Sequence, residues 1–312
     1  MANSNRQRVK RGSHGGIHRV HRRIDLSALL DTPPWDWPPE AATKFLEILR
    51  NPEAPGSDRL IAARLAGDYT VINDPLSDAL LGIVSGADQP DKLRATAAIA
   101  LGPILDHAGT FGFEDDPEDV PITEDTFNRI RSTLREVYSE QSVPKEVRRR
   151  ILEASVRSPE DWHREAISHA HSSGDREWML TAVFAMRYVR GFDRQILEAL
   201  KSEDREIQRE AVHAAGNWEL DAAWRDIVAL AVNESTPKPL LLAAIGAVGS
   251  IRPREAEEAL FELTDSDDEE IAEAAEEAVA MARSPSEDDS DAFFDDDEEE
   301  EDEGDGSAGW IH

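Results

Sequence analysis

The chain is expected to fold as an all-α solenoid, and three observations carry that expectation. Seven apolar anchors (Ala62, Ala97, Ile151, Ala182, Ala211, Ala244 and Ala275) recur at intervals of 35, 54, 31, 29, 33 and 31 residues. A period of this size, with two helical patterns per unit, marks helix pairs that bury their apolar faces only by stacking. Finally, no stretch alternates apolar and polar residues with period two, so no sheet is predicted.

Composition narrows the function classes. Apolar residues make up 40% of 312 residues, enough for a stacked core. With no cysteine, disulfides, thiolate metal sites and cysteine nucleophiles are excluded. The first 23 residues have no apolar core of a secretory signal, and no run of 18 apolar residues suggests a membrane span. A cytoplasmic protein is the expectation. The net charge of −31 is unevenly distributed. Residues 1–23 carry seven basic residues and no acid, whereas residues 284–312 carry 14 acids and no Lys or Arg. The body between them is acidic, which disfavours nucleic acid and favours basic partners.

In chain order, residues 1–23 read as a disordered basic arm, too poor in large apolar residues to repay ordering. Residues 24–56 read as an N-terminal capping segment. Within it Trp35 and Trp37 are expected to cover the open end of the first repeat. Residues 57–284 read as the solenoid. In Asp91–Gly102 the residues Leu93, Ala97, Ala100 and Leu101 share one helix face, and small residues allow close helix approach. Asp204–Gly216 and Pro239–Gly249 repeat the design, and the Gly near each end suits a C-terminal cap or a tight helix contact. Ile271, Ala275, Ala278 and Val279 form the last copy. Second helices are expected at Leu76–Val84, Phe127–Val137, Trp162–His169, Phe192–Leu200, Ala222–Val232 and Ala256–Leu263. Joints rich in Asn, Asp, Ser and Pro separate the helices. The 54-residue interval predicts an acidic surface-loop insertion at about 106–125. Residues 285–312 read as a disordered acidic tail, interrupted by Phe293-Phe294 and Trp310-Ile311.

Leu93-Arg94-Ala95-Thr96-Ala97-Ala98-Ile99-Ala100-Leu101-Gly102 resembles the first helix of a HEAT repeat, in the short bacterial form named after phycobilisome lyases. The family favours an acid, an apolar-Arg pair, small residues and then Leu-Gly. The resemblance covers about residues 57–284, and Gln208 and Leu241 stand where the Arg would be. It implies antiparallel helix pairs in a right-handed superhelix and protein–protein scaffolding. Some relatives attach bilins, hydroxylate a lysine derivative with iron, or excise alkylated bases.

The residues themselves show little chemistry. The His-Glu dipeptides associated with the iron relatives do not occur. His169 and His171 lie two apart and face different sides of a helix. No phosphate loop, nucleophile elbow or zinc-protease motif is present. Arg187, Arg190 and Arg194 are spaced to share a helix face with Tyr188 nearby, and Arg148-Arg149-Arg150 form a second basic stretch; they are expected to pair with the abundant acids, with a bidentate anion or acidic-peptide contact as the alternative. No catalytic, cofactor or metal residue is assigned, and no cofactor is expected. The expectation is a non-enzymatic scaffold or adaptor that binds protein partners, basic ones in particular, with no nucleic acid on the solenoid and no membrane. Its binding residues would be Trp162, Arg194, Trp224 and Arg225 on the second helices and Phe293 and Phe294 in the tail, since Trp and Arg dominate interface energetics. The alternatives are a lyase-type cofactor-attachment factor and an acidic-tailed chaperone for basic proteins. The tail could also pair with the basic arm.

Overall fold

The computed structural model describes residues 25–113 and 120–283, and every regular element among them is helical. The expected arm at 1–23 and tail at 285–312 lie outside the described residues, as do residues 114–119. Helices α1 (Leu26–Leu29) and α2 (Ala41–Arg50) precede the repeats. A first row follows: α3 (Gly56–Leu65), α5 (Asp91–Ala100), α8 (Lys145–Ser155), α10 (Arg176–Ala185), α12 (Arg205–Asn217), α14 (Lys238–Ile251) and α16 (Glu269–Arg283). The second row is α4 (Asp74–Ser85), α7 (Glu124–Ser139), α9 (Asp161–Ser172), α11 (Asp193–Ala199), α13 (Trp224–Ala231) and α15 (Pro253–Thr264). Helix α6 (Gly102–Phe111) is inserted between α5 and α7. This is an all-α solenoid of six helix pairs with α16 closing the described array. All seven anchors lie on the first row, each 0% exposed.

Small residues bring the first-row helices together. A Cβ on Gly67, just after α3, would sit 2.1 Å from the Ala100 carbonyl oxygen, and one on Gly249 of α14 would sit 3.0 Å from that of Ala278. Neither glycine has a positive φ. Gly249 therefore serves close approach, the second of the two roles expected for it, and Gly67 does the same.

The arginine of the apolar-Arg pair has a visible task. Arg94 is buried, and its Nε donates to the Val84 carbonyl, 2.9 Å away at the end of α4. Arg148 does the same for Tyr138 at the end of α7 (3.0 Å). Gln208, standing in the same place, donates to Leu200 after α11 (2.8 Å). Each satisfies a helix-terminal carbonyl that has no partner in its own helix.

A second ladder links the first turns of the first row. Lys145 pairs with Asp175 (3.0 Å) and Glu177 (2.5 Å). Arg176 pairs with Asp204 (2.6 Å) and Glu206, and Lys238 with Asp268 (2.6 Å) and Glu270 (2.7 Å). Hydrogen bonds from the cations hold Asp175, Glu177, Asp204 and Asp268 below the usual carboxylate range. Between α8 and α16 the ladder skips the step from α12 to α14. Arg205 bonds Gln208 in its own helix, because α14 opens with Pro237-Lys238-Pro239 and offers no acid.

Three local expectations are corrected. Residues 106–111 of the expected loop are helical, because Gly102-Pro103 starts α6 at once after α5. Trp37 packs edge-on against Phe45 at 5.7 Å and donates to the Thr32 carbonyl, but Trp35 remains 79% exposed and covers nothing. Arg187, Arg190 and Arg194 share no helix face, since α10 stops at Ala185 and Gly191, at φ 95°, turns the chain into α11. Arg187 lies 3.8 Å from Glu210, Arg190 stacks over Trp218 at 4.4 Å, and Arg194 pairs with Glu198.

Candidate functional site

The core is divided at α8. Val147, Ile151 and Ala154 belong to an N-terminal cluster that starts at Leu26, while Leu152 and Val156 belong to a C-terminal one that runs to Val279. Tyr138, at the end of α7, packs against both. Helix α2 packs on α4 and α4 on α7, but α9 rests mainly on α10. The gap between α7 and α9 is a groove of about 530 Å³, with one wall from each of those helices and a floor from the starts of α8 and α10.

Its aromatic lining is Tyr138, Trp162 and Trp178, and its cations are Arg135 and Arg148. Tyr138 and Trp162 stack with centroids 5.1 Å apart. The Arg148 guanidinium lies 5.0 Å from the Tyr138 ring and 5.8 Å from the Trp178 ring. Such placements hold a cation over aromatic faces without neutralising it. Arg148 Nε is committed to the Tyr138 carbonyl. No carboxylate lies within ion-pair distance of Arg135 or Arg148 among the described residues, although Arg149 and Arg150 beside them are paired with Glu146 and Glu153. Burial pushes the Tyr138 phenol upward and Arg148 opposes this, so the ring stays neutral at physiological pH. Glu165 and His169 complete the α9 wall, 4.0 Å apart and exposed.

The start of α9 is held rigidly. His163, 0% exposed, accepts at Nδ1 from the Glu160 backbone N–H (2.8 Å). Nε2 therefore carries the proton and donates to Ser155 Oγ at 3.0 Å. Burial, reinforced by the charges of Arg131 and Arg135, lowers the His163 pKa to about 4. The Glu160 carboxylate accepts from Trp162 Nε1 (3.1 Å) and pairs with Arg131 (3.1 Å). The indole is thus fixed at one wall. A second concavity of about 570 Å³ along α7, lined by Arg131, Arg135, Glu136, Ser139 and Glu160, shares Arg135 and Ser139 with the groove.

Of the expected binding residues, Trp162 lines this groove. Arg194 is 83% exposed on α11, Trp224 lies beneath the Arg252 guanidinium at 5.2 Å, and Arg225 is exposed on α13. The groove lining brings none of these three to Trp162. Phe293 and Phe294 lie outside the described residues. The sequence pattern does not single out Tyr138, Arg135 or Trp178. It marks Arg148 only as one of three consecutive arginines, whose differing helix angles separate an unpaired residue from two paired ones.

No family model matches the chain, and no curated protein matches it. Among solved structures it is similar to human deoxyhypusine hydroxylase in complex with glycerol, at 17% identity and a TM-score of 0.35, covering 78% of this chain and 96% of that one. That neighbour is an enzyme, against the expectation of a non-enzymatic scaffold or adaptor, and that expectation is not carried forward. The His-Glu pairs associated with iron relatives are missing from the sequence, and no His, Asp and Glu cluster among the described residues is arranged to hold a metal ion. No described helix is long and apolar enough to cross a membrane.

Proposed function

We propose that the groove between α7 and α9 is a binding site for a planar aromatic group with a negative charge beside it, carried on a HEAT-like repeat frame. The ligand is either a free aromatic acid or an aromatic residue in an acidic peptide. The observation that supports this reading most is the coincidence of three aromatic side chains with two carboxylate-free arginines in one concavity of an acidic protein. Aromatic rings offer stacking surface and arginine offers directed donors for an anion. Repeat proteins with a leading apolar-Arg pair and Leu-Gly end, as at Leu93-Arg94 and Leu101-Gly102, supply the frame. Partner recognition by charge then works locally: the body favours basic proteins, but this site selects an acid.

Calorimetric titration with indole-3-acetate and with a blocked Glu-Asp-Gly-Trp peptide separates the two sources. Saturable binding of either ligand is expected, weakened about tenfold by Arg135→Gln, a change worth about 1.4 kcal/mol. Arg135 is exposed and its side chain bonds nothing among the described residues, so the variant is expected to fold normally. Absence of binding by both ligands, or affinity unchanged in Arg135→Gln and Trp162→Ala alike, would overturn the reading.

A further inference from the structure

We propose that this groove is occupied in the resting chain by the chain's own residues 301–312, with Trp310 as the aromatic group. This rests on the binding reading above and names the ligand. Residues 301–312 read Glu-Asp-Glu-Gly-Asp-Gly-Ser-Ala-Gly-Trp-Ile-His, an acidic run, a glycine-rich spacer and one indole. The groove offers the complement in the same order of chemistry. Arg135 lies along the α7 approach beside Arg131, which Glu160 already pairs, and Tyr138, Trp162 and Trp178 surround the end.

Reach selects this segment over Phe293-Phe294. From α16 to α10 the first row makes three helix-to-helix steps, through α14 and α12. At roughly 8–10 Å per packed pair these cover about 24–30 Å. The groove borders the start of α10, whereas the chain leaves α16 at the far end of a helix of about 22 Å. The span to bridge is therefore about 35 Å. Phe293 stands ten residues beyond Arg283 and would need a fully extended chain to arrive, since ten residues reach about 33–36 Å. Trp310 stands 27 residues beyond Arg283. Its extended reach of about 90 Å leaves ample slack, and a flexible chain of that length has a typical end-to-end distance of about 30 Å. The nine-residue acidic block from Asp295 to Glu303 is then repelled by the acidic body and drawn to Arg135 and Arg148, two groove cations with no carboxylate at ion-pair distance among the described residues.

The consequence is self-competition. A tether of this length gives an effective concentration on the order of 1 mM. With an intrinsic Kd near 0.1 mM for the tethered segment itself, any free ligand would bind the closed chain about tenfold more weakly than the open one. The test compares the wild-type full chain with full-length Trp310→Ala and with the double variant Phe293→Ala/Phe294→Ala. The probe is a fluorescein-labelled peptide of residues 301–312. Trp310→Ala is expected to bind the probe about tenfold more tightly than wild type, and the double variant to match wild type. Equal binding by wild type and Trp310→Ala overturns this inference alone, provided that Arg135→Gln still weakens the probe. Tightening in the double variant assigns the occupant to the other segment and also overturns it. A wild-type affinity that falls with rising protein concentration moves the occupant to a second copy and overturns it likewise. Loss of probe binding in all three chains sinks the groove reading itself.

Discussion

His163 makes the stability of the groove wall depend on pH in a way that can be worked through. In the unfolded chain it titrates near 6.5, and in the fold near 4. Above pH 6.5 it is neutral in both states and has no linkage effect. Between pH 6.5 and 4 the unfolded chain takes up the proton first, so stability falls as pH falls, and the loss is complete below 4. The separation of 6.5 and about 4 corresponds to roughly 3 kcal/mol. Carboxylates also titrate toward the lower end of this range, and a variant removes them by subtraction. His163→Asn keeps an acceptor for the Glu160 N–H but cannot titrate. At pH 7 it should be less stable than wild type, because the bond to Ser155 and the packing on Trp162 are lost. Urea unfolding followed by far-UV circular dichroism from pH 7.5 to 4 should show that gap closing by roughly 3 kcal/mol. A gap that stays constant would mean that His163 titrates normally in the fold, and the burial argument would be wrong.

Three further perturbations test the frame. Gly67→Ala should destabilise by about 1–3 kcal/mol in thermal melts, because the new methyl meets backbone at Ala100 that has no rotamer to yield; an unchanged melting temperature would show that the α3–α5 approach is looser than described. Arg94→Met should cost about 1–3 kcal/mol by orphaning the Val84 carbonyl, and Arg94→Gln should recover part of it, as Gln208 does naturally. Arg176→Ala should flatten the salt dependence of stability, since Arg176 and Glu206 are exposed and Asp204 only half-buried, leaving the pairs open to screening by salt; an equal salt response in both chains would leave that rung without effect.

The helical rows are legible in the sequence because their signal is additive. Each first-row helix repeats the same buried small-residue face, and Ala62 through Ala275 all land in the core. Second helices are legible for the same reason at all six places. Helix α6 is not, because Gly102-Pro103 reads as a stop when taken alone, yet Pro at the second helical position starts a new helix without loss. Nor is the ion ladder, whose members stand about 30 residues apart and acquire meaning only once the repeats are superposed. The groove is half legible. Trp162 stands out as a bulky residue on a second helix, but its neighbours depend on how far α9 leans from α7, which no local pattern encodes. Arg187, Arg190 and Arg194 mislead for the opposite reason: their spacing is helical, but Gly191 breaks the chain between them.

The most direct test of the groove is an isotope-edited NMR titration of the full chain that follows the indole N–H signals as indole-3-acetate is added. Trp162 and Trp178 line the groove, while the exposed Trp35 lies in the N-terminal segment and serves as an internal control. Saturable shifts of Trp162 and Trp178 with Trp35 unmoved are predicted. Shifts that fail to saturate, or that affect Trp35 and Trp224 as much as Trp162, would contradict a built aromatic-anion site between α7 and α9.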